Sequence, residues 1–260
     1  MKVPVYSLDG KELKEVSLPQ QFDEEYREDL IRRAVLSEES KERQPKGTYV
    51  FAGLETSADY RGVKDTYGSL KNRGQAMLPR EIRPKGNWGR VRRIPSSVKG
   101  RRAHPPKVGK KIFEKINKKE YQKALRSALS ASANLEIVSK RADIKKRKLP
   151  IIIENDFEKI KKSKEVLSVL QKLEIGKLVE EAKEKTRVKT GVRKRMKQRT
   201  KTPRYLLIVT SENAKSGRNL SGIDMVKVSE LKVKHLSPGA FASRVVMFTE
   251  NALKEIGERL

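Results

Sequence analysis

The chain has 260 residues, with 61 Lys or Arg against 33 Asp or Glu, a net charge of +28 and a pI near 10.2. Charge of that size repels itself within a compact fold and attracts phosphate with its counterions, so a polyanion, and nucleic acid before a small substrate, is the expected partner. There is no cysteine, and His104 and His235 are the two histidines. Disulfides, thiolate catalysis and a Cys- or His-based zinc centre are thereby excluded, and no metal or cofactor is expected.

No segment approaches the roughly 18 consecutive apolar residues of a membrane helix. The opening residues 1–6 lack the apolar core of a secretion signal, so the expected location is cytoplasmic. An apolar fraction of 36% suffices for a modest core if the charge is segregated from it.

In chain order, residues 2–8 and 11–16 form an opening hairpin turned at Asp9-Gly10, a dipeptide that tolerates positive φ. A helix follows from Asp23 to about Arg43, with Tyr26, Leu30, Ala34 and Val35 on one face, and Pro45 and Gly47 end it. From 61 to 111 periodicity disappears. This stretch carries 16 Lys or Arg against Asp65 and Glu81, a net of +14, with seven of the 16 glycines and five of the 11 prolines. It can form neither a regular helix nor a continuous sheet, and a loop of this length is anomalous unless a partner orders it. Doubled back, its contour reaches on the order of 80 Å.

Asn117 and Glu120 then cap a helix with Tyr121, Ala124, Leu125, Ala128 and Leu129 at helical spacing. Residues 150–153 read as a buried strand, and 163–173 as a helix with Val166, Leu167, Leu170 and Leu173 inward. A short helix from Gly176 enters a second basic run, 185–204, with ten Lys or Arg and no acid. Strands at 205–209, 225–228 and 245–248 alternate with helical segments near 213–220 and from 249 onward. Strands alternating with helices predict an α/β fold. The expected body is a three-layer α-β-α arrangement with an open, mostly parallel sheet. Residues 1–260 are expected to make a single α/β domain, interrupted at about 45–111 by a long, extended, irregular basic loop.

Neither G-x-G-x-x-G after a strand nor a phosphate-binding P-loop is present. Glu154, Asp156 and Glu158 follow a buried strand, where an α/β enzyme often keeps carboxylates. Acids at a helix N-terminus, favoured there by the macrodipole, explain them with no further partner. The basic loop has what RNA binding requires: arginines for phosphate forks and base stacking, Trp88 and Tyr67 for unpaired bases, and glycines such as Gly86 and Gly89 for close approach. Three classes remain open at this point: a structural RNA-binding protein, an RNA-modifying enzyme and a DNA-compacting protein. An enzyme should carry a nucleotide or methyl-donor loop, and a DNA-compacting protein should place its charge on helices or a compact face.

The runs Arg73-Gly74-Gln75-Ala76, residues 85–93 (KGNWGRVRR) and residues 98–107 (VKGRRAHPPK) resemble the universal large-subunit ribosomal protein four family in its archaeal form. So do the helix containing residues 123–129 and the later runs 216–224, 236–239 and 248–250, so that the resemblance covers essentially the whole chain. It implies a non-enzymatic, structural constituent of the large ribosomal subunit that binds large-subunit ribosomal RNA and assists early assembly. The extended loop is then expected to line part of the polypeptide exit tunnel. The implied partners are that RNA, neighbouring large-subunit proteins and the nascent polypeptide at the tunnel constriction, with no membrane and no homo-oligomer.

By position, the loop tip falls near 85–93, and Lys85, Gly86, Asn87, Trp88, Gly89 and Arg90 are the tunnel-lining candidates. The RNA-binding candidates are Arg73, Gln75, Arg80, Arg83, Lys85, Asn87, Trp88, Arg90, Arg92, Arg93, Lys99, Arg101, Arg102, His104, Lys107, Lys110 and Lys111. Arg193, Lys194, Arg195 and Arg199 of the second basic run complete the set.

Overall fold

The computed structural model describes residues 1–83, 85–142, 144, 148–191, 199–212, 214, 216–241 and 243–259. They form two compact units, one made of Met1–Glu42 with Phe113–Leu260 and the other of Arg43–Ile112.

The first unit is built on a six-stranded sheet. Its strands are β1 (Lys2–Tyr6), β2 (Glu12–Ser17), β3 (Ile151–Ile153), β6 (Leu206–Thr210), β7 (Ile223–Lys227) and β8 (Val245–Thr249), in the order β2-β1-β3-β8-β6-β7. Two further short strands, β4 (Arg187–Val188) and β5 (Thr200–Lys201), pair only with each other. All neighbours in the large sheet are parallel except β1 and β2, the opening hairpin, in which Gly10 takes a φ of +81°. The mostly parallel α/β sheet expected from the alternation of strands and helices is therefore observed, with one antiparallel edge.

Side-chain alternation divides the core in two. On one face lie Val3, Val5, Ile152, Leu207, Val209, Val246 and Phe248, and on the other Tyr6, Ile151, Ile153, Leu206, Ile208, Val245 and Met247. Strands covered on both faces need apolar residues at every position, which is why β3, β6 and β8 are continuous apolar runs. The first face is covered by α1 (Glu28–Lys41), α2 (Lys118–Ala133), α6 (Val233–Leu236) and α7 (Glu250–Arg259). The second is covered by α3 (Leu135–Ser139), α4 (Ser163–Lys172) and α5 (Gly176–Glu184). This gives the three layers. Phe22 meets Phe248 edge-on at 5.8 Å in the first core.

Three local expectations are corrected. The helix expected from Asp23 begins at Glu28, because a 3-10 turn at Gln20–Phe22 first drives Phe22 into the core. Asn117 stands at the N-cap of α2, but its side chain makes no capping bond, and Glu120 pairs instead with Arg33 at 2.7 Å. The described residues of 213–220 form turns, not a helix: Gly217, Asn219 and Ser221 are turn formers, and Gly217 N–H donates to Met225 Sδ at 3.1 Å. Asn213 and Lys215 lie outside the described residues.

Buried polar groups knit the helices of the first face together. Glu38 of α1 accepts from Tyr121 Oη at 2.5 Å and from the backbone N–H groups of Val233 and Lys234 at 3.2 and 3.1 Å, which supplies the acceptor that the start of α6 lacks. Burial and Glu38 raise the Tyr121 pKa.

His235 in α6 accepts the Lys232 N–H on Nδ1, and burial, with Arg244, Lys232 and Lys234 nearby, pulls its pKa from 6.5 to about 4. The unfolded chain takes up that proton first, so stability falls as pH drops from about 6.5 to about 4 and this contribution is then lost. Allowing for partial exposure, urea unfolding should show the wild type losing about 1–2 kcal/mol more than His235→Gln across that window.

Candidate nucleic-acid interface

The unit Arg43–Ile112 carries 18 Lys or Arg against Glu55, Asp59, Asp65 and Glu81. Its net of +14 is half of the chain's +28. The second basic run, 185–204, holds another +10, leaving +4 for all remaining residues. The charge is thus segregated from the layered core, whose described residues all lie outside 43–112.

Among the described residues of the unit, regular structure is limited to a 3-10 turn at Lys85–Asn87 and isolated antiparallel bridges, Asp59 with Arg80 and Arg80 with Val91. Prolines and glycines break any longer ladder. The chain is nonetheless folded back on itself. Ser57 Oγ accepts from the N–H of Arg83 at 2.9 Å, Ala58 and Ser69 are buried, and Arg61 donates to the Tyr67 carbonyl at 3.0 Å. Gly53, at φ +78°, and Gly100 permit close packing inside the unit: a Cβ on Gly53 would lie 2.6 Å from Arg101 Cα, and one on Gly100 1.9 Å from the Ile94 carbonyl oxygen. At Gly74, Gly86, Gly89 and Gly109 a Cβ would meet nothing within 4 Å. These four glycines lie on open backbone.

Most of the predicted residues stand at the surface. Arg73, Gln75, Arg83, Lys85, Trp88, Arg90, Arg93, Lys99, Arg101, Arg102, His104, Lys107, Lys110 and Lys111 are exposed, Trp88 to 71% and Tyr67 to 89%. Asn87 and Arg80 are half-buried. Arg92 differs, being only 6% exposed and ion-paired at 3.4 Å with Glu81.

His104, Arg102, Lys107, Lys110 and Lys111 share an open groove of ≈ 1390 Å³ with Arg43, Lys46 and the Pro105-Pro106 pair. Sequence reasoning missed Arg43 and Lys46, together with the exposed aromatics Tyr49, Phe51 and Tyr60. An apolar triplet, Tyr49-Val50-Phe51, placed between a glycine-proline boundary and a basic run with no periodic partner, was the signal available.

In the second basic run, β4 and β5 form a two-stranded ribbon, extended by Lys189 N–H donating to the Arg199 carbonyl at 2.8 Å. Arg199 is exposed, while Arg193, Lys194 and Arg195 lie outside the described residues. Lys185 sits 5.6 Å over the Tyr205 ring.

The three carboxylates considered for catalysis are engaged in the fold. Glu154 accepts from the Leu8 N–H at 2.7 Å. Glu158 accepts from the N–H groups of Ser211 and Glu212 and from Thr249 Oγ1, at 2.8, 3.1 and 2.5 Å. Asp156 pairs with Lys159 at 2.6 Å. Glu158 thereby ties the 3-10 turn at Asn155–Lys159 to the end of β6 and to β8, Glu154 holds the loop after β1, and the acids need no substrate to explain them.

Residues 16–259 match the ribosomal protein L4/L1 family. The chain is 42% identical over 263 residues to the large ribosomal subunit protein uL4 of Methanocaldococcus jannaschii, with 100% of this chain and 99% of that protein covered. It is 40% identical to the protein of the same name from Methanococcus vannielii, both covered in full, and 39% identical to that of Methanoregula boonei, at 97% and 98% coverage. A layered α/β body and a charge-laden irregular unit, matched along their whole length to such relatives, define a structural ribosomal protein and not an enzyme. The chain belongs to the ribosomal protein L4/L1 family, whose place is the large subunit of the cytoplasmic ribosome.

Proposed function

We propose that the chain binds large-subunit ribosomal RNA through Arg43–Ile112 and, secondarily, through the basic run 185–204. The segregation of charge carries this reading: +24 of the +28 lies on these two segments. Exposed Trp88, Tyr67, Tyr60 and Phe51 support it, since aromatic faces among arginines stack unpaired bases while guanidinium groups grip phosphate.

In this reading residues 1–260 act as one α/β domain interrupted at about 45–111 by the RNA-penetrating loop. Lys85, Gly86, Asn87, Trp88, Gly89 and Arg90 form the part that lines the exit tunnel and meets the nascent polypeptide. The protein works as a single copy beside neighbouring large-subunit proteins. It enters assembly early, because a loop enclosed by RNA is easier to install before the RNA closes.

Ultraviolet crosslinking with mass spectrometry on cell extract tests the assignment. Crosslinks from residues 43–112 confined to large-subunit ribosomal RNA are expected. Crosslinks dominated by transfer RNA or DNA would overturn it.

A further inference from the structure

We infer that Glu81, Arg92 and Arg80 form an internal clasp that fixes the shape of the basic unit before any partner binds, so that these two arginines are positioning residues and not phosphate ligands. The affinity arm of the test below rests on the RNA reading; the clasp itself does not.

Arg92 and Glu81 are 6% and 8% exposed in a unit where Arg61 and Arg80 are half-buried and the remaining arginines are exposed, and their ion pair lies at 3.4 Å. Arg92 Nη1 also donates to the Val98 carbonyl. Arg80 donates from Nη1 to the Gly89 carbonyl at 3.0 Å and from Nη2 to the Ala76 carbonyl at 3.1 Å. Both guanidinium groups are thus turned onto backbone oxygens, where a rigid planar fork holds two chain segments at a spacing that a lysine's single compact ammonium does not match.

The backbone repeats the pattern. Glu81 N–H donates to the Arg90 carbonyl at 2.8 Å, Gly89 N–H to the Glu81 carbonyl at 2.9 Å and Arg92 N–H to the Pro79 carbonyl at 3.1 Å, while Asp59 and Arg80 exchange a pair at 3.1 Å each. The turn bearing Lys85, Gly86, Asn87 and Trp88 is therefore carried on a closed base. Breaking one half of a buried ion pair leaves the other charge uncompensated, so losing either partner opens that base.

The expected behaviour runs against simple charge counting. Glu81→Gln in the full chain makes the unit more basic, yet it should weaken binding to a large-subunit ribosomal RNA fragment about tenfold while leaving the slope of log affinity against log salt unchanged. Arg92→Lys, which keeps the charge, should do the same. The exposed control Arg101→Gln should instead lower the slope by about 0.7 to 0.9, the signature of one lost phosphate contact. In the protein without RNA, amide hydrogen exchange across residues 78–92 should accelerate about tenfold or more in Glu81→Gln and Arg92→Lys and stay unchanged in Arg101→Gln.

The clasp is overturned if Glu81→Gln binds at least as tightly as wild type, or if Arg92→Lys is silent while Arg92→Gln lowers the slope as Arg101→Gln does. Should the wild-type chain show no preference for ribosomal RNA, the RNA reading fails, and the exchange arm alone decides the clasp: unaltered exchange in Glu81→Gln overturns it and accelerated exchange upholds it.

Discussion

Replacing residues 43–112 with a short Gly-Ser linker should abolish most of the chain's affinity for ribosomal RNA and leave the α/β body folded. Among the described residues, neither half of the core draws a side chain from that segment. The two ends are held on the body side, where Ser37 Oγ donates to the Glu114 carbonyl at 2.7 Å and Glu114 N–H donates to Ser40 Oγ at 3.0 Å. Closing a shorter connection costs less entropy, so the urea unfolding free energy should stay within about 2 kcal/mol of the full chain's.

The excised unit removes 18 of 61 basic residues. If it makes roughly 6–10 phosphate contacts, the salt slope should fall by about 5–9 and affinity near physiological salt by about a thousandfold or more. Binding titrations between about 50 and 200 mM salt would measure both. A slope that survives excision would move the phosphate contacts to 185–204, and collapse of the body would make the segment part of its folding unit.

The second large effect lies where β7 and β8 meet their loops. Arg244 is 1% exposed, with Nε donating to the His235 carbonyl at 2.6 Å and Nη1 ion-paired with Asp224 at 2.6 Å. The other Asp224 oxygen takes Arg204, whose carbonyl accepts from Arg141 Nε. Burial, with Arg141 and Arg204 close by, disfavours the charge on Arg244, and Asp224 is the counter-ion that makes it tolerable.

Asp224→Ala should therefore destabilise the protein by about 3–5 kcal/mol, the usual cost of stranding a buried charge. Asp224→Ala combined with Arg244→Met should recover a large part of that loss, since two apolar replacements leave no charge to desolvate. Equal destabilisation by the single and double variants, measured by urea melts at neutral pH, would show that packing and not charge holds this corner.

Much of the body was legible because its signals are local. The runs at 151–153, 206–210 and 245–249 are apolar at every position, a pattern that a sheet buried on both faces requires. Helical spacing identified the inward faces of α2 and α4, whose buried residues include Leu125, Leu129, Val166 and Leu170. What failed depended on neighbours distant in sequence. The true start of α1 is set by Phe22 reaching Phe248, and the turns after β6 are set in part by Met225 closing over Gly217.

The basic unit shows the same division. Its charge and its exposed Trp88 are properties of composition, whereas the inward use of Arg92 follows from a partner eleven residues away. An arginine among arginines carries no local mark of its role. The usable hint was Glu81, one of two acids among the 16 bases of residues 61–111.

Strand order has a consequence for how the chain is made. Among the described strands of this sheet β8 is synthesised after the other five, yet it stands inside the sheet, bonded to β3 on one side and β6 on the other. Until it emerges, β2-β1-β3 and β6-β7 are two separate half-sheets, each with an open parallel edge that can pair with a wrong chain. The basic unit, encoded well upstream, leaves the synthesising ribosome while the body that carries it is still in halves. A translation product cut short before residue 245 is thus left without the strand that joins its sheet, and chaperones or proteases can tell it from the finished protein by those unjoined edges.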